Sequence, residues 1–343
     1  MDVSVVIPLR NEEKYIDKCI ASLLAQDYPK QNVEFLLVDG RSEDATTTII
    51  KTYTDKYPFI HLLDNPGRIA PTAMNIGIKA AKGEIIVRMD AHAEYATDYI
   101  SKCVEWSQKT GAENVGGPMR AVGMGYIGKA IEFIHHSPFG LGGGKFHDEN
   151  FSGHVDTVYL GAFKKEIFNK VGMYDERLVR NQDIELNSRI RAQGGTCFLT
   201  PEIRSLYYNR PTLKALWQQN YKNGLWNIYT FQVTGSALSL RHFVPLLFVV
   251  GLLSTALLAI MGQLLANNEI LSMIGKGMFM LCAGSYLLTA IYFSLKISIQ
   301  KGWQYFAILP VVFFVLHFSY GLGSLEGLTT VKKWVADNGV KRA

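Results

Sequence analysis

The chain has 343 residues, enough for two or three domains, and a formal net charge of +5. That mild charge is not concentrated in a dense basic patch, which argues against a nucleic-acid binder and suits a bilayer surface or a phosphate-bearing substrate. The four cysteines have no C-x-x-C spacing, which argues against a disulfide framework or a zinc knuckle and favours a reducing compartment.

The first 90 residues alternate between apolar β-rich runs and amphipathic helical runs. The spacing predicts these elements in chain order: strand 3–8, helix 11–26, strand 33–39, helix 42–57 with Ser42 as its cap, strand 59–64, helix 71–83 and strand 84–90. This order is typical of an α/β fold, a mostly parallel mixed sheet with helices on both faces. A later strand is predicted over 158–162, with a tight turn at Gly161 and Ala162.

Polar residues follow three of these strands where each strand ends. They are residues 8–12 after the first strand, Asp39 after the second, and Asp90 with His92 after the fourth. In parallel sheets ligands bind beyond the carboxyl ends of the strands, so we expect these residues to share one site. A single Asp at such a place is more often a turn former or a helix cap, and the coincidence of three favours a site.

The residue types indicate a divalent cation and a diphosphate. Asp90 and His92 stand two positions apart on an extended segment and could reach one cation. Oxygen with imidazole suits Mn²⁺, and oxygen alone suits Mg²⁺. Arg68 is a candidate phosphate partner. The sequence has no P-loop and no strand-bound glycine-rich dinucleotide motif, so metal and side chains would hold the diphosphate.

The last hundred residues have the composition of a membrane region. Three runs carry no charged residue: 243–268, 277–295 and 302–325. Each is about long enough to cross a hydrocarbon core of ~30 Å as a helix, and the alternative is three buried helices of a large soluble core. The N-terminus lacks the pattern of a signal peptide, so we expect the soluble part in the cytoplasm.

The charges leave the orientation of this region open. Lys296 and Lys301 suit a cytoplasmic loop between the second and third runs. Three crossings, however, would put the basic tail outside, although positive residues prefer the cytoplasmic side. The basic residues of that tail are Lys332, Lys333, Lys341 and Arg342. Either the tail breaks the preference, or one run is re-entrant or lies along the membrane interface.

Several segments taken together resemble the family 2 glycosyltransferases, inverting enzymes with the GT-A fold. The resemblance covers about residues 1–230 and rests on VVIPLRNEE with LLVDGRSEDAT, on NIGIKAAKGEIIVRMDAH, and on VYLGAFKKEIFNKVGMYDERLVRNQDIELNSRIRAQGG. Within the family, the chain is most similar to bacterial membrane-attached enzymes of exopolysaccharide assembly. Those have Asp-Ala-His where most members have Asp-x-Asp.

The resemblance implies roles for the residues at the strand ends. Asp90 would meet the metal and the nucleotide sugar, whereas His92 is a metal ligand, a hydrogen-bonding neighbour or a plain loop residue. The resemblance and the candidate phosphate partner together give a donor-binding set of Pro8, Arg10, Glu12, Asp39, Arg68 and Asp90. The carboxylate of Asp39 can accept the N3–H of uracil, and cytosine offers no such donor, which favours a UDP-sugar.

The resemblance also implies that Asp183 is the general base. An inverting transfer needs one base to deprotonate the acceptor hydroxyl as it attacks the anomeric carbon, while the metal stabilises the leaving UDP. The family usually has Glu-Asp where this chain has Gln182 and Asp183, which removes a like charge beside the base. The alternatives are a helix cap at Asp183 and, ranked well below, Glu185 as the base.

We therefore expect four regions along the chain. These are a GT-A catalytic domain over 1–209, an interfacial amphipathic helix and linker over 210–242, a transmembrane region of about three helices over 243–325, and a basic tail over 326–343. Aromatic residues within 210–231 suit the headgroup level, and the alternative is a helix packed only on protein. The segment 135–147 is either a lid over the donor or a disordered connector.

The expected function is transfer of a sugar from a UDP-sugar, with Mn²⁺ or Mg²⁺, to a lipid-linked saccharide in exopolysaccharide or cell-surface glycan synthesis. The expected location is the bacterial inner membrane, multi-pass, with the catalytic domain on the cytoplasmic side. Other polysaccharide-assembly proteins are candidate partners, and nucleic acid is not. The alternatives are a polyprenyl-phosphate glycosyltransferase, a processive synthase and an inactive membrane scaffold. Departures from the Gln-x-x-Arg-Trp element at 219–223 count against processive synthesis.

Overall fold

The computed structural model describes residues 1–141, 143–235, 237–264 and 268–339. The chain forms two compact units. The first comprises Met1–Ala121 and Gly144–Tyr208, and the second comprises Val122–Gly143 and the chain from Asn209 onwards. Of the predicted basic tail, Lys341 and Arg342 lie outside the described residues.

The first unit contains a mixed sheet flanked by helices. Its strands are β1 Val3–Leu9, β2 Val33–Asp39, β3 Ile60–Asp64, β4 Ile85–Arg88, β5 Ala93–Tyr95, β6 Asn114–Gly117, β7 Arg120–Val122 (at the unit boundary), β8 Gly153–Val155, β9 Tyr159–Lys164, β10 Cys197–Leu199 and β11 Ser205–Tyr208. Its helices are α1 Ile16–Leu24, α2 Thr46–Thr54, α3 Ala70–Ala80, α4 Tyr99–Thr110, α6 Ile167–Val171 and α7 Gln182–Ala192. The predicted α/β alternation of the first 90 residues is confirmed.

The order of the strands creates a crevice between β1 and β4. Among the described residues, the large sheet has the order β3-β2-β1-β4-β9-β6-β10-β8. Strands β1 to β4 are parallel, and β9 runs antiparallel to both of its neighbours, β4 and β6. The chain builds outwards from β1 to β3 and then returns to place β4 on the other side of β1. Ligands of open α/β sheets bind at such a switch point, beyond the carboxyl ends of the strands.

Both faces of the sheet are buried, which explains its continuous apolar strands. Val3, Val5 and Ile7 of β1 are fully buried on the face that carries α1 and α4. Val6, between them, packs on the opposite face with α3, α6 and α7. Gly77 of α3 lies so close to this strand that an added Cβ would be 2.3 Å from Val6 Cγ1. The helix therefore packs directly against the strand whose end forms the crevice.

Two local predictions need correction. Ser42 is not the cap of α2, because the helix begins at Thr46 and the Ser42 hydroxyl donates to Asp39 Oδ1 at 2.5 Å. The predicted turn at Gly161 and Ala162 is an irregularity inside β9, which continues to Lys164. There Gly161 has a φ of +99°, and an added Cβ would lie 2.5 Å from Asn114 Oδ1, so only glycine fits.

The second unit is helical and includes a segment from the middle of the sequence. Its helices are α5 Gly125–His135, α8 Leu213–Thr234, α9 Val244–Leu264, α10 Glu269–Lys301 and α11 Leu309–Asp337. Residues 122–143 were expected in a catalytic domain over 1–209, but they belong to this unit. The apolar residues of α5, such as Ile131 and Ile134, share a buried cluster with Leu216, Val312 and Phe313.

The expected lid or connector over 135–147 is partly fixed within the helical unit. Phe139 packs against the rings of Tyr286, Phe293 and Phe313, with centroids 5.0–5.6 Å apart. Gly142, within the same segment, lies outside the described residues. Phe139 therefore anchors the first half of this segment to α10 and α11.

In the described part of the chain, three helices are long and apolar enough to cross a membrane. They span Leu240–Leu264, Glu269–Lys301 and Leu309–Asp337, which agrees with the three predicted runs, although residues 265–267 of the first run are not described. The predicted amphipathic helix over 210–231 is α8, which begins at the capping residue Thr212 and packs along α11.

Candidate active site

A cavity of about 210 Å³ lies in the first unit at the switch point between β1 and β4. It is bounded by the loops that follow β1, β3 and β4. The predicted site residues that line it are Pro8, Arg10, Glu12, Arg68, Asp90 and His92. The structure therefore brings together residues that are up to 84 positions apart in the chain. Asp39 and Asp183 are not among the residues that line this cavity.

Asp39 lies at the margin of the cavity, with its side chain largely buried. The carboxylate accepts hydrogen bonds from Ser42, at 2.9 Å from the backbone N–H and 2.5 Å from the hydroxyl. The next residue, Gly40, approaches both Arg10 and Arg68, since an added Cβ would lie 3.2 Å from Arg10 Cβ and 3.4 Å from Arg68 Cα. A carboxylate has about four acceptor positions, so Asp39 retains capacity for a further donor.

Two arginines of the cavity share one exposed carboxylate. Arg10 lies 3.4 Å and Arg68 lies 3.6 Å from Glu43 Oε1. All three side chains are exposed, and such surface ion pairs contribute only ~0–1 kcal/mol. Their guanidinium groups can therefore move to a diphosphate at little cost.

His92 and Glu12 form a pair across the cavity. His92 Nδ1 lies 3.3 Å from Glu12 Oε1. The backbone of Glu12 is itself fixed, because its N–H donates to Thr46 Oγ1 at 2.8 Å. The His92 ring is thus oriented through one nitrogen by a carboxylate, which is the arrangement that metal-binding histidines usually have.

Asp90 is held from both sides. Arg88 Nε donates to Asp90 Oδ1 at 3.2 Å. The Tyr95 hydroxyl accepts from the Asp90 N–H at 2.5 Å and donates to its carbonyl at 3.2 Å. Burial, followed by the charge of Asp90, raises the pKa of Tyr95 well above its ordinary value, so the phenol keeps its proton. Both the backbone and the carboxylate of Asp90 are therefore positioned by neighbouring side chains.

Arg88 connects Asp90 to Asp183. It is 9% exposed and lines the cavity from the end of β4. Burial by itself lowers the pKa of the Arg88 guanidinium, but Asp90, then Tyr174 and then Asp183 outweigh burial and raise this pKa. Asp183 is therefore near enough to the Arg88 guanidinium for its charge to act on it. The sequence analysis did not select Arg88, although a charged residue ending the apolar run EIIVR was a usable signal.

Asp183 stands in the first turn of α7, where the helix dipole favours a negative charge. Its carboxylate is partly exposed, and Oδ1 accepts from the backbone N–H of Ile184 at 2.9 Å. The capping position belongs to Asn181, so the reading of Asp183 as a helix cap is wrong. The competing Glu185 is buried and bonds to Arg189 at 2.6 and 2.7 Å, which occupies its carboxylate.

Unusual backbone conformations cluster around these residues. Asn11, Arg41 and Arg68 have φ values of +55 to +58°, and each lies in the loop after one of the first three strands. Asn181, which precedes α7, has a φ of +59°. Such conformations cost about 1–3 kcal/mol each and collect at functional sites, where the surrounding structure maintains them.

The donor atoms fit a cation that is shared with a substrate. Within residues 1–141, 143–235, 237–264 and 268–339, no group of three or more His, Cys, Asp or Glu side chains could hold a metal ion alone. The cavity does offer Asp90 and His92, with Glu12 against the His92 ring. Mg²⁺ sites commonly use one or two carboxylates and complete the coordination with substrate phosphates and water. The site therefore fits a cation bound together with a diphosphate.

Comparison with known proteins assigns the chain to a family. Residues 4–172 match the model of glycosyl transferase family 2. The succinoglycan biosynthesis protein ExoA of Rhizobium meliloti (strain 1021) is 32% identical over 71% of this chain and 74% of its own length. The chain belongs to the family 2 glycosyltransferases and is a glycosyltransferase, as its motifs predicted.

Two further proteins are similar over almost the whole chain. A dolichyl N-acetyl-alpha-D-glucosaminyl phosphate 3-beta-D-2,3-diacetamido-2,3-dideoxy-beta-D-glucuronosyltransferase of Methanococcus voltae is 28% identical over 96% of this chain and 99% of its own. The structure of the mannosyltransferase PcManGT from Pyrobaculum calidifontis, in complex with GDP-Man and Mn²⁺, covers 95% of this chain and 86% of its own. The latter is 18% identical with a TM-score of 0.59, which supports the same GT-A fold.

Proposed function

We propose that the chain transfers a sugar from a UDP-sugar to a lipid-linked saccharide at the membrane, with inversion at the anomeric carbon. The observation that carries the proposal is that Arg88 donates to Asp90 within the cavity and that the charge of Asp183 also acts on this guanidinium. Asp90 would lie at the diphosphate of the donor and Asp183 at the acceptor hydroxyl. A reaction between donor and acceptor needs these two groups close together.

The donor would occupy the cavity at the switch point. Arg10 and Arg68 would leave Glu43 and bind the diphosphate, which carries more charge than one carboxylate and accepts from planar guanidinium groups. The Pro8–Glu12 segment would line the base and ribose. Asp39, held by Ser42, would accept the N3–H of uracil, and this interaction favours UDP over CDP.

A divalent cation would bind to Asp90 and His92. The contact between His92 Nδ1 and Glu12 supports this role, because metal-binding histidines usually have one ring nitrogen oriented by a carboxylate. When bound, the cation supplies positive charge that stabilises the leaving diphosphate. Mn²⁺ is slightly favoured over Mg²⁺ because one of the ligands is an imidazole. In the mannosyltransferase of similar fold the bound ion is Mn²⁺.

Asp183 would act as the general base. Its carboxylate is partly exposed in the first turn of α7, and it can accept the proton of an acceptor hydroxyl while that oxygen attacks the anomeric carbon. Arg88 would keep Asp183 and Asp90 at a fixed separation. The pairing of Glu185 with Arg189 favours Asp183 over Glu185 in this role.

The acceptor would be a lipid-linked saccharide at the inner membrane of a bacterium, with the catalytic unit in the cytoplasm. The apolar helices of the second unit support a membrane location, since they expose many large apolar side chains. The name of the Methanococcus voltae relative specifies a dolichyl-phosphate-linked sugar, and that of ExoA specifies succinoglycan synthesis. Holding enzyme and acceptor at one membrane raises their effective concentration.

The direct experiment separates this reaction from its alternatives. Purified full-length protein is incubated with UDP-sugars and with Mn²⁺, Mg²⁺ or a chelator, and release of UDP is measured. We expect metal-dependent release, and its absence with every donor would favour the inactive scaffold. The size of the product on a lipid-linked acceptor then distinguishes one added sugar from a polymer. A product on polyprenyl phosphate alone would instead identify a polyprenyl-phosphate glycosyltransferase.

A further inference from the structure

We propose that the chain crosses the membrane twice, through a hairpin of α9 and α10, and that α8 and α11 lie together along the cytoplasmic surface of the bilayer. The proposal rests on the membrane location given above and specifies how the second unit meets the lipid. It treats α11 as an interfacial helix, although its length and composition would also allow a crossing.

The three apolar helices differ in how much of their surface is available to lipid. In the most apolar stretch of α11, 50% of the residues are buried within the protein, compared with 17% for the α9 span and 11% for α10. Large side chains such as Leu253, Leu257, Leu281 and Leu288 are 46–73% exposed on α9 and α10. A helix surrounded by apolar exposed residues needs lipid on most sides, so α9 and α10 fit the hydrocarbon core.

Helices α9 and α10 form a closely packed antiparallel pair. An added Cβ on Gly262 would lie 2.4 Å from the Ser272 N, and one on Gly275 would lie 2.4 Å from the Ala259 N. Close approach of backbones at small residues is the usual way in which helices associate in lipid. The two helices thus form one hairpin that is suited to cross and return.

Helix α11 packs along α8, and α8 is not suited to the hydrocarbon core. Helix α8 runs beside it in the same direction, with the Trp217 and Phe318 rings 6.2 Å apart and the Tyr229 hydroxyl 2.8 Å from Thr330 Oγ1 further along. Between these points an added Cβ on Gly224 would lie 2.0 Å from the Tyr320 carbonyl oxygen. The two helices therefore share one depth in the membrane.

The exposed surfaces of this pair are amphipathic. On α8 the exposed side chains include Lys214, Gln218 and Lys222, spaced at one turn each. On α11 up to Leu328 the exposed residues are apolar: Val311, Phe314 and Leu328 are exposed, and Phe318, Leu322 and Leu325 are partly exposed. Crossing the membrane would place Lys222 near its centre, which is costly. Lying at the interface lets the apolar stripe enter the lipid while the polar residues stay in water.

The turn between α10 and α11 has the residues of a membrane interface. Trp303 is 62% exposed, and the Tyr305 ring stacks on Tyr126 of α5 with centroids 5.2 Å apart. Trp and Tyr are enriched at the headgroup level. Only residues 122–124 separate Ala121 from α5, so α5 stays on the side of the bilayer that carries residues 1–121. The turn is therefore cytoplasmic.

Two crossings also remove the conflict between charge and orientation. The basic residues on the cytoplasmic side then include Arg241, Lys296, Lys301, Lys332 and Lys333. The distal end of the hairpin carries Glu269 and Lys276. This distribution follows the preference of Lys and Arg for the cytoplasmic side, which three crossings would violate at the C-terminal end of α11.

The test is accessibility of single introduced cysteines in the full-length protein in bacterial spheroplasts. Glu269→Cys marks the distal end of the hairpin, Asp337→Cys marks the end of α11, and Asp55→Cys in the first unit is the cytoplasmic control; all three positions are exposed. Background is low because Cys19, Cys103 and Cys197 are buried, and burial raises the pKa of the Cys19 thiol to about 12. The partly exposed Cys282 lies in α10, where the proposed lipid would keep the impermeant reagent away. Labelling with a membrane-impermeant maleimide is compared before and after permeabilisation.

We expect Glu269→Cys to be labelled in intact spheroplasts, and Asp337→Cys and Asp55→Cys only after permeabilisation. Labelling of Asp337→Cys from outside would establish three crossings and overturn the proposal, as would a Glu269→Cys that is protected until permeabilisation. A fluorescent protein that matures only in the cytoplasm, fused after the last residue, gives a second reading. Fluorescence is expected, and full-length protein without fluorescence would overturn the proposal. Neither measurement depends on sugar transfer. The number of crossings can therefore be established whether or not the proposed reaction is correct.

Discussion

Arg88 donates from Nε to Oδ1 of Asp90 at 3.2 Å, and both residues lie at the end of β4 where the chain enters the switch-point cavity. The same guanidinium feels the charge of Asp183, which belongs to α7. The buried arginine that binds the residue proposed for the donor is thus also influenced by the charge of the residue proposed as the base. The geometry of the reaction would depend on this one side chain as much as on the carboxylates that it holds.

Replacing Arg88 tests this dependence. Arg88→Met leaves the Asp90 carboxylate without its buried counter-charge, and loss of one partner of a buried pair costs about 3–5 kcal/mol. We expect a lower Tm in detergent and weaker donor binding. Arg88→Lys keeps the charge and should recover most of the stability, though less of kcat, since an ammonium cannot reproduce the guanidinium geometry. A Met variant with unchanged Tm and KM would show that Arg88 is needed neither for stability nor for donor binding.

Asp183→Asn should separate chemistry from binding. The amide cannot take a proton from the acceptor, so we expect kcat to fall by ~10²–10⁴-fold while UDP binding stays intact. The matched control is Asp55→Asn, an exposed carboxylate at the end of α2, which should behave as the unmodified chain. Calorimetry reports binding, and radiolabel transfer reports turnover. Equal turnover of the Asn variant and the control would exclude Asp183 as the base.

Asp90 and His92 should control metal-dependent donor binding. Asp90→Ala removes a proposed metal ligand, so the gain in UDP affinity on adding Mn²⁺ should be lost in calorimetry. Glu12→Gln removes the carboxylate beside His92 Nδ1 and should weaken the metal effect by ~10–100-fold, a typical cost of losing such a partner. Unchanged Mn²⁺ dependence in Asp90→Ala would show that the ion binds elsewhere or takes no part.

The contact between α8 and α11 can be tested by a pair of glycine substitutions. In Gly224→Ala the new Cβ would meet the Tyr320 carbonyl oxygen at 2.0 Å, so overpacking should destabilise the helical unit by about 1–3 kcal/mol. In Gly277→Ala nothing lies within 4 Å of the new Cβ, so this variant is the control and should be neutral or slightly stabilised. Thermal unfolding in detergent checks both. If the two variants unfold at the same temperature, α8 and α11 are not packed this closely.

The sheet and most of the cavity could be predicted because each strand end carries its own signal. The strand 33–39 was predicted with its observed bounds, and residues 8–10, 12, 90 and 92 line one cavity. Local patterns suffice here because parallel strands with right-handed crossovers leave few possible arrangements. The motifs then identified the family, which the comparisons confirm.

The remaining features depend on contacts between distant residues. The sequence around Ser42 is that of a helix cap, and only the fold shows its hydroxyl on Asp39. Helix α5 has the amphipathic spacing of any surface helix, and nothing local reveals that Tyr126 stacks on Tyr305, which is far along the chain. Arg88 could be read as the polar end of a strand, and its importance emerges from two carboxylates that the fold brings to it.

The most direct test of the central claim is a single-turnover measurement of sugar transfer to a lipid-linked acceptor, at saturating UDP-sugar, with the intact chain and with Asp183→Asn. We predict transfer that requires a divalent ion and that slows by at least ~10²-fold in the variant, at equal donor occupancy. Transfer at the same rate in both proteins, or transfer by the intact chain that persists in a chelator, would contradict the claim.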